Sequence, residues 1–158
     1  MPPDSEANPW LDAFREASME FDAVYSLLAK SCGLSYPEFW SLVLIQDGVR
    51  TQREISEQLS ISRQTLNSAF KLLVRKGLIC LIPLERDQRS KQAVLTHQGE
   101  RFVQARILPA LSLEEQAWSL LTVKEQEALT QLTHKFSTTL LQLLRDSTQF
   151  NADSSEDL

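Results

Sequence analysis

Between Thr51 and Gly77 the sequence marks the starts and stops of two short helices in close succession, a pattern that few folds accommodate. Thr51-Gln52-Arg53-Glu54 is a capping box, in which a threonine and a glutamate three residues apart satisfy each other's backbone amides at a helix start. Ile55 and Leu59 supply an inward face, Ser60-Ile61 leaves room only for a tight connection, and Ser62 caps a second helix running to about Lys76, with Gly77 as its stop. Two short helices joined by so brief a turn form a helix-turn-helix.

The flanking segments extend the pattern. Asn8-Pro9-Trp10 reads as an N-cap with proline in the first helical turn, and Leu11, Phe14, Phe21, Val24, Tyr25 and Leu28 recur at helical spacing to about Ser31. A capping box at Ser35-Tyr36-Pro37-Glu38 opens a helix that ends near Asp47-Gly48. After Gly77 the period changes. Leu78 to Pro83 is an extended run, Glu85 to Lys91 a charged loop, and Gln92 to Leu95 a second short strand, which together make a β-hairpin. Thr96 caps the next helix, which Pro109 is expected to kink or interrupt. A third capping box, Thr122 to Glu125, opens a last helix with the stripe Leu129, Leu132, Phe136, Leu140 and Leu143. The predicted fold is mainly α with a small β-hairpin wing, a winged helix-turn-helix.

The helix from Ser62 to Lys76 carries the chemistry. At 100° per residue, Arg63, Gln64, Asn67, Ser68, Lys71 and Arg75 fall within one arc of about 140°. Leu66, Ala69, Phe70, Leu72 and Leu73 fall on the other side, and Val74 is the exception. These polar types read base edges in a major groove: Arg pairs with guanine, Gln and Asn with adenine, Ser with either. A merely solvated face mixes Glu with Lys; this one holds no acid. Its candidate DNA contacts are Ser62, Arg63, Gln64, Thr65, Asn67, Ser68 and Lys71.

Charge agrees once it is divided along the chain. The whole sequence carries a net charge of -5, yet Arg50 to Lys91 holds nine basic residues against four acidic ones. Phosphate responds to that local excess. The wing adds Arg86, Arg89 and Lys91 at a hairpin tip, the kind of cluster that a narrow minor groove attracts. Asp87, two residues before Arg89, is placed to hold that guanidinium by a bidentate ion pair.

The order helix, helix, helix-turn-helix, wing, helix, helix resembles the MarR (multiple antibiotic resistance regulator) family over roughly Trp10 to Leu144. Its most specific marks are Asp87-x-Arg89 in the wing, the run Leu72-Leu73-Val74-Arg75-Lys76-Gly77-Leu78-Ile79 before it, and Leu95-Thr96-x-x-Gly99 after it. The resemblance implies that Asp87 orients Arg89, that the helix from Ser62 reads the major groove, and that the terminal helices form a homodimer. It also implies a repressor released from DNA by a small molecule. The residues agree on the dimer, since the first and last helices carry more apolar surface than a winged helix of roughly 70 residues can cover. The expected organisation is a flexible N-terminus at 1–8, dimerisation helices at 9–34 and 97–148, a DNA-binding lobe at 35–96, and a disordered acidic tail at 149–158. Two recognition helices about 34 Å apart suit a pseudo-palindromic operator.

Phe14, Tyr36, Phe39 and Trp40 are the candidates for lining a pocket for a small apolar or phenolic effector, with ordinary core packing as the simpler account. Some members of the family sense peroxide through a cysteine near the start of the first helix; Cys32 lies at the opposite end, so that role does not transfer. Cys32 and Cys80 read as reduced thiols of a cytoplasmic protein. His97 and His134 have no neighbours at metal-ligand spacing, and neither a metal nor a cofactor is expected. No glycine-rich phosphate loop, Gly-x-Ser-x-Gly elbow or His-Glu-x-x-His motif is present, which argues against an enzyme. No apolar run reaches the roughly 18 residues of a membrane span. The competing expectation is a winged helix that binds a protein or RNA.

Overall fold

Caps set most of the element boundaries in the computed structural model, which describes residues 8–84 and 87–153, with backbone alone for 84, 87–90 and 148–153. Helix α1 (Pro9–Ser31) starts where the Asn8 side chain accepts hydrogen bonds from the amides of Trp10 and Leu11. Helix α2 (Tyr36–Gln46) starts at the Ser35–Glu38 capping box and α3 (Gln52–Gln58) at the Thr51–Glu54 box. Helix α4 (Arg63–Arg75) begins at Ser62, whose hydroxyl accepts from the Thr65 amide at 3.0 Å. It ends where Gly77 takes a φ of +68°, a left-handed conformation that sends the chain into the hairpin.

Strands β1 (Ile79–Leu84) and β2 (Asp87–Leu95) pair antiparallel from Ile79 opposite Leu95 to Pro83 opposite Lys91, with a register shift between Pro83 and Leu84. The charged segment expected as a loop from Glu85 to Lys91 is therefore strand from Asp87 onward. Its side chains gave a turn-like composition, but strand pairing uses backbone groups that composition does not reveal. Residues 85 and 86 lie outside the described residues. Thr51, just before α3, bridges Gln92, and the Ala93 amide donates to the Arg50 carbonyl at 2.8 Å.

Thr96 caps α5 (His97–Phe102), which passes through a π-helical turn at Val103–Ile107 into α6 (Leu108–Ser119). Pro109 has no amide to donate, and its ring collides with the carbonyl four residues earlier in a regular α-helix. The widened turn, in which the Leu108 amide reaches back to the Val103 carbonyl, falls immediately before it. The irregularity expected at Pro109 thus lies one turn upstream, and the chain stays helical through the proline.

By internal contacts the chain divides into two units, residues 1–112 and 113–158. The core of the first unit unites Ala29 from α1, Phe39, Leu42 and Ile45 from α2, Ile55 from α3, and Leu66, Phe70 and Leu73 from α4. Ile79, Ala93, Val103 and Ile107 belong to it as well. In the second unit the Thr122–Glu125 capping box starts α7 (Val123–Asp153), and the Gln126 side chain donates to the carbonyls of Trp118 and Leu121. Helix α7 runs five residues into the segment expected as a disordered tail. None of its described side chains is buried, and Leu132, Phe136, Leu140 and Leu143 are all exposed. Among the described residues no helix is long and apolar enough to cross a membrane.

Candidate nucleic-acid interface

Helix α4 buries Leu66, Ala69, Phe70 and Leu73 and exposes everything predicted to read DNA. Arg63, Gln64, Thr65, Asn67, Ser68 and Lys71 are all exposed, and no acidic residue lies in the first turn. The apolar side explains the orientation: Phe70 and Leu73 are essentially inaccessible, so turning the helix about its axis would bring large apolar groups into water at roughly 1.5–3 kcal/mol each. The polar arc is fixed by what lies behind it.

The candidate contact side chains divide by availability. The Ser62 hydroxyl pairs with the Thr65 hydroxyl at 2.8 Å as well as with the Thr65 amide, so these two residues hold the start of the helix. Ser68 donates to the Gln64 carbonyl one turn back, which leaves its oxygen as an acceptor. Val74 is also exposed, on the same arc as Arg63 and Asn67. It is the apolar exception among polar residues that helical spacing singles out.

The turn before α4 brings the two helices together without a glycine. Ser60 stands at a φ of +51°, while the Ile61 amide reaches back to the Ser56 carbonyl at 3.1 Å, closing α3 with the hydrogen bond of a Schellman motif. Lys91, opposite Pro83 toward the turn end of the wing, is exposed. Arg86 lies outside the described residues, as do the side chains of Asp87 and Arg89 and hence the expected ion pair between them.

The end of α4 holds a cluster that sequence reading did not assemble. Glu38 in the first turn of α2 is buried, with one carboxylate oxygen accepting from the Ser35 amide and hydroxyl at 2.8 and 2.7 Å. Its other oxygen accepts from Lys76 Nζ at 2.8 Å, and Nζ also donates to the Gly33 carbonyl at 3.3 Å. Burial pushes the Glu38 carboxyl up, but the hydrogen bonds from Lys76 and Ser35 together outweigh it and hold the group ionised below its ordinary range. Nothing in the spacing of residues 38 and 76 announces this pair.

The aromatic candidates are partly united. Trp40 is ringed by Tyr25, Tyr36 and Phe39, at centroid distances of 5.7, 6.2 and 5.4 Å, and Phe21 stacks edge-on against Tyr25. Phe39 is wholly buried and Tyr36 is exposed at one side. Phe14 lies seven residues before Phe21 on α1, about 10 Å along the axis. Sequence reading missed Tyr25 and Phe21, although both lie on the apolar stripe of the first helix.

The sequence from residue 33 to residue 90 matches the family model described as MarR family, a span running from the end of α1 into the wing. No curated protein sequence matches the chain. Among solved structures, a MarR family regulator from Neisseria meningitidis superposes with a TM-score of 0.76 at 20% identity, over 87% of this chain and 98% of that one. Bordetella bronchiseptica BpsR, described for regulation of its DNA binding by 6-hydroxynicotinic acid, gives 0.67 at 20% identity over 85% and 95%. A mutant MarR from E. coli complexed with operator DNA gives 0.66 at 24% identity over 82% and 96%. The chain is thus a winged helix-turn-helix with the fold of MarR family regulators, and it matches that family's own sequence pattern from Gly33 to Ser90.

Proposed function

We propose that this chain is a homodimeric, sequence-specific regulator of transcription that places α4 in the major groove of duplex DNA and the wing arginine Arg89 in the adjacent minor groove. The observation that carries the reading is the exposed, acid-free face of α4, backed by a wholly buried apolar side. The E. coli relative in complex with operator DNA supports the same use of the fold. Helix α7 supports the dimer: a 31-residue helix with an apolar stripe and no buried described side chain needs a partner surface, and a second copy supplies one symmetrically. Sedimentation of the purified protein with a labelled duplex tests both parts. The expected complex holds two chains per duplex, and its affinity falls about a thousandfold or more between 50 and 200 mM salt, as counterion release by several phosphate contacts requires. A monomeric complex removes the dimer; salt-independent binding, or none to any duplex, removes the DNA reading and leaves a protein or RNA partner.

The same reading includes repression relieved by a small aromatic or phenolic molecule at the cluster around Trp40. The Trp40 indole Nε1 is buried with no hydrogen-bond partner among the described residues, amid three other rings. An acceptor on a planar ligand would satisfy that donor at the level where α1 meets α2. BpsR, regulated by a hydroxylated pyridine carboxylate, supports this chemistry. Titration with 6-hydroxynicotinate or salicylate is expected to quench tryptophan emission saturably and lower duplex affinity; an unchanged Trp40→Phe protein is the control. Emission and duplex affinity that respond to neither compound leave the cluster as core packing.

A further inference from the structure

Residue 76 is held from two sides. Its side chain reaches α2, pairing with Glu38 and the Gly33 carbonyl. Its carbonyl accepts from the Gln98 side chain on α5 at 3.1 Å, and the next carbonyl, that of Gly77, accepts from the Thr96 hydroxyl. The C-terminal end of the recognition helix is therefore clamped between the capped starts of two other helices. Its opposite end, with Ser62 and Thr65, is held by its own cap.

Glu38 is buried while the Lys76 side chain stays 40% exposed, so this ion pair adds little net stability: desolvating the carboxylate offsets an attraction that water partly screens. It does demand one geometry. Asn67 lies nine residues before Lys76, about 13 Å along the helix, so a change of roughly 10° in helix direction at the clamp displaces it by about 2 Å. Hydrogen bonds to base edges tolerate only a few tenths of an ångström. We infer that Glu38 and Lys76 are positioning residues that set the direction of α4 and so the sequence selectivity of the protein, without touching DNA. The inference rests on the DNA-binding reading above.

The test is the double variant Glu38→Gln/Lys76→Met. It leaves the net charge unchanged, and glutamine at 38 retains a capping-box partner for Ser35. The probes are a duplex selected by the wild-type protein from a random pool of about 30 base pairs and a scrambled duplex of the same composition. The ratio of affinities is expected to fall about tenfold, with scrambled-duplex affinity and its salt slope unchanged, as lost base readout without lost phosphate contact requires. A folded double variant with the wild-type ratio overturns the inference. So does an equal loss on both duplexes with a reduced salt slope, which would make Lys76 a phosphate contact. Should the double variant fail to fold, Lys76→Arg keeps the charge while changing the reach. It is expected to lower the ratio in the same direction, and a wild-type ratio there overturns the inference equally. If the wild-type protein selects no duplex from the pool, the DNA reading itself fails, a separate result.

Discussion

Gly99→Ala is expected to lower the unfolding free energy by about 3 kcal/mol, the upper range for forcing a methyl group into a filled site. An alanine in a helix is ordinarily worth about 1 kcal/mol over glycine, so ignoring tertiary contacts gives the opposite sign. Here a β-carbon at position 99 would stand 1.9 Å from the Leu78 carbonyl oxygen and 2.9 Å from its carbon. Both atoms are backbone, and that same carbonyl accepts from the Thr96 amide at 3.1 Å, so it cannot retreat without breaking the junction between the wing and α5. Chemical denaturation reads the effect directly. A variant within 1 kcal/mol of the parent would show that α5 and the approach to β1 separate cheaply, against the packing described here.

The second large effect belongs to the surface. Asn67→Ala removes an exposed side chain in the middle of α4, so stability is expected to stay within about 0.5 kcal/mol. If Asn67 makes a bidentate contact to adenine, discrimination at one base pair of each half-site falls by roughly 1–3 kcal/mol, a factor of about 5 to 150. The measurement is the affinity for the selected duplex against its single-base variants. A pattern of preference identical to wild type at every position would strike Asn67 from the reading face. Lys71→Ala is the useful contrast, because a phosphate contact weakens all duplexes alike.

What sequence reading found here follows from how local each signal is. Asn8, the three capping boxes and Ser62 act within four residues, and each marks a helix start in the structure. The polar arc of α4 was legible because periodicity and burial are two views of one constraint. The course of β2 was not, because a run of charged residues at Asp87, Arg89 and Lys91 carries no information about the backbone ladder. Pro109 announced a disturbance but not its relief by a wider turn upstream. The Glu38–Lys76 pair joins residues far apart in sequence, and each already had a local explanation, one as a capping-box acid and the other as a cation at a helix end. The contacts proposed for the wing rest on side chains at 86, 87 and 89 that lie outside the described residues.

An L-residue in the left-handed region gives up roughly 1–2 kcal/mol, and Ser60 bears that strain between α3 and α4. Neither helix offsets it alone. The compensation comes from the Ile61 amide closing on Ser56 and from the Ile61 side chain seated against the core, and the second of these exists only when both helices are docked. Excised as a peptide, the bihelical segment would lose its bend first. Helices α3 and α4 therefore form and melt as a single cooperative piece.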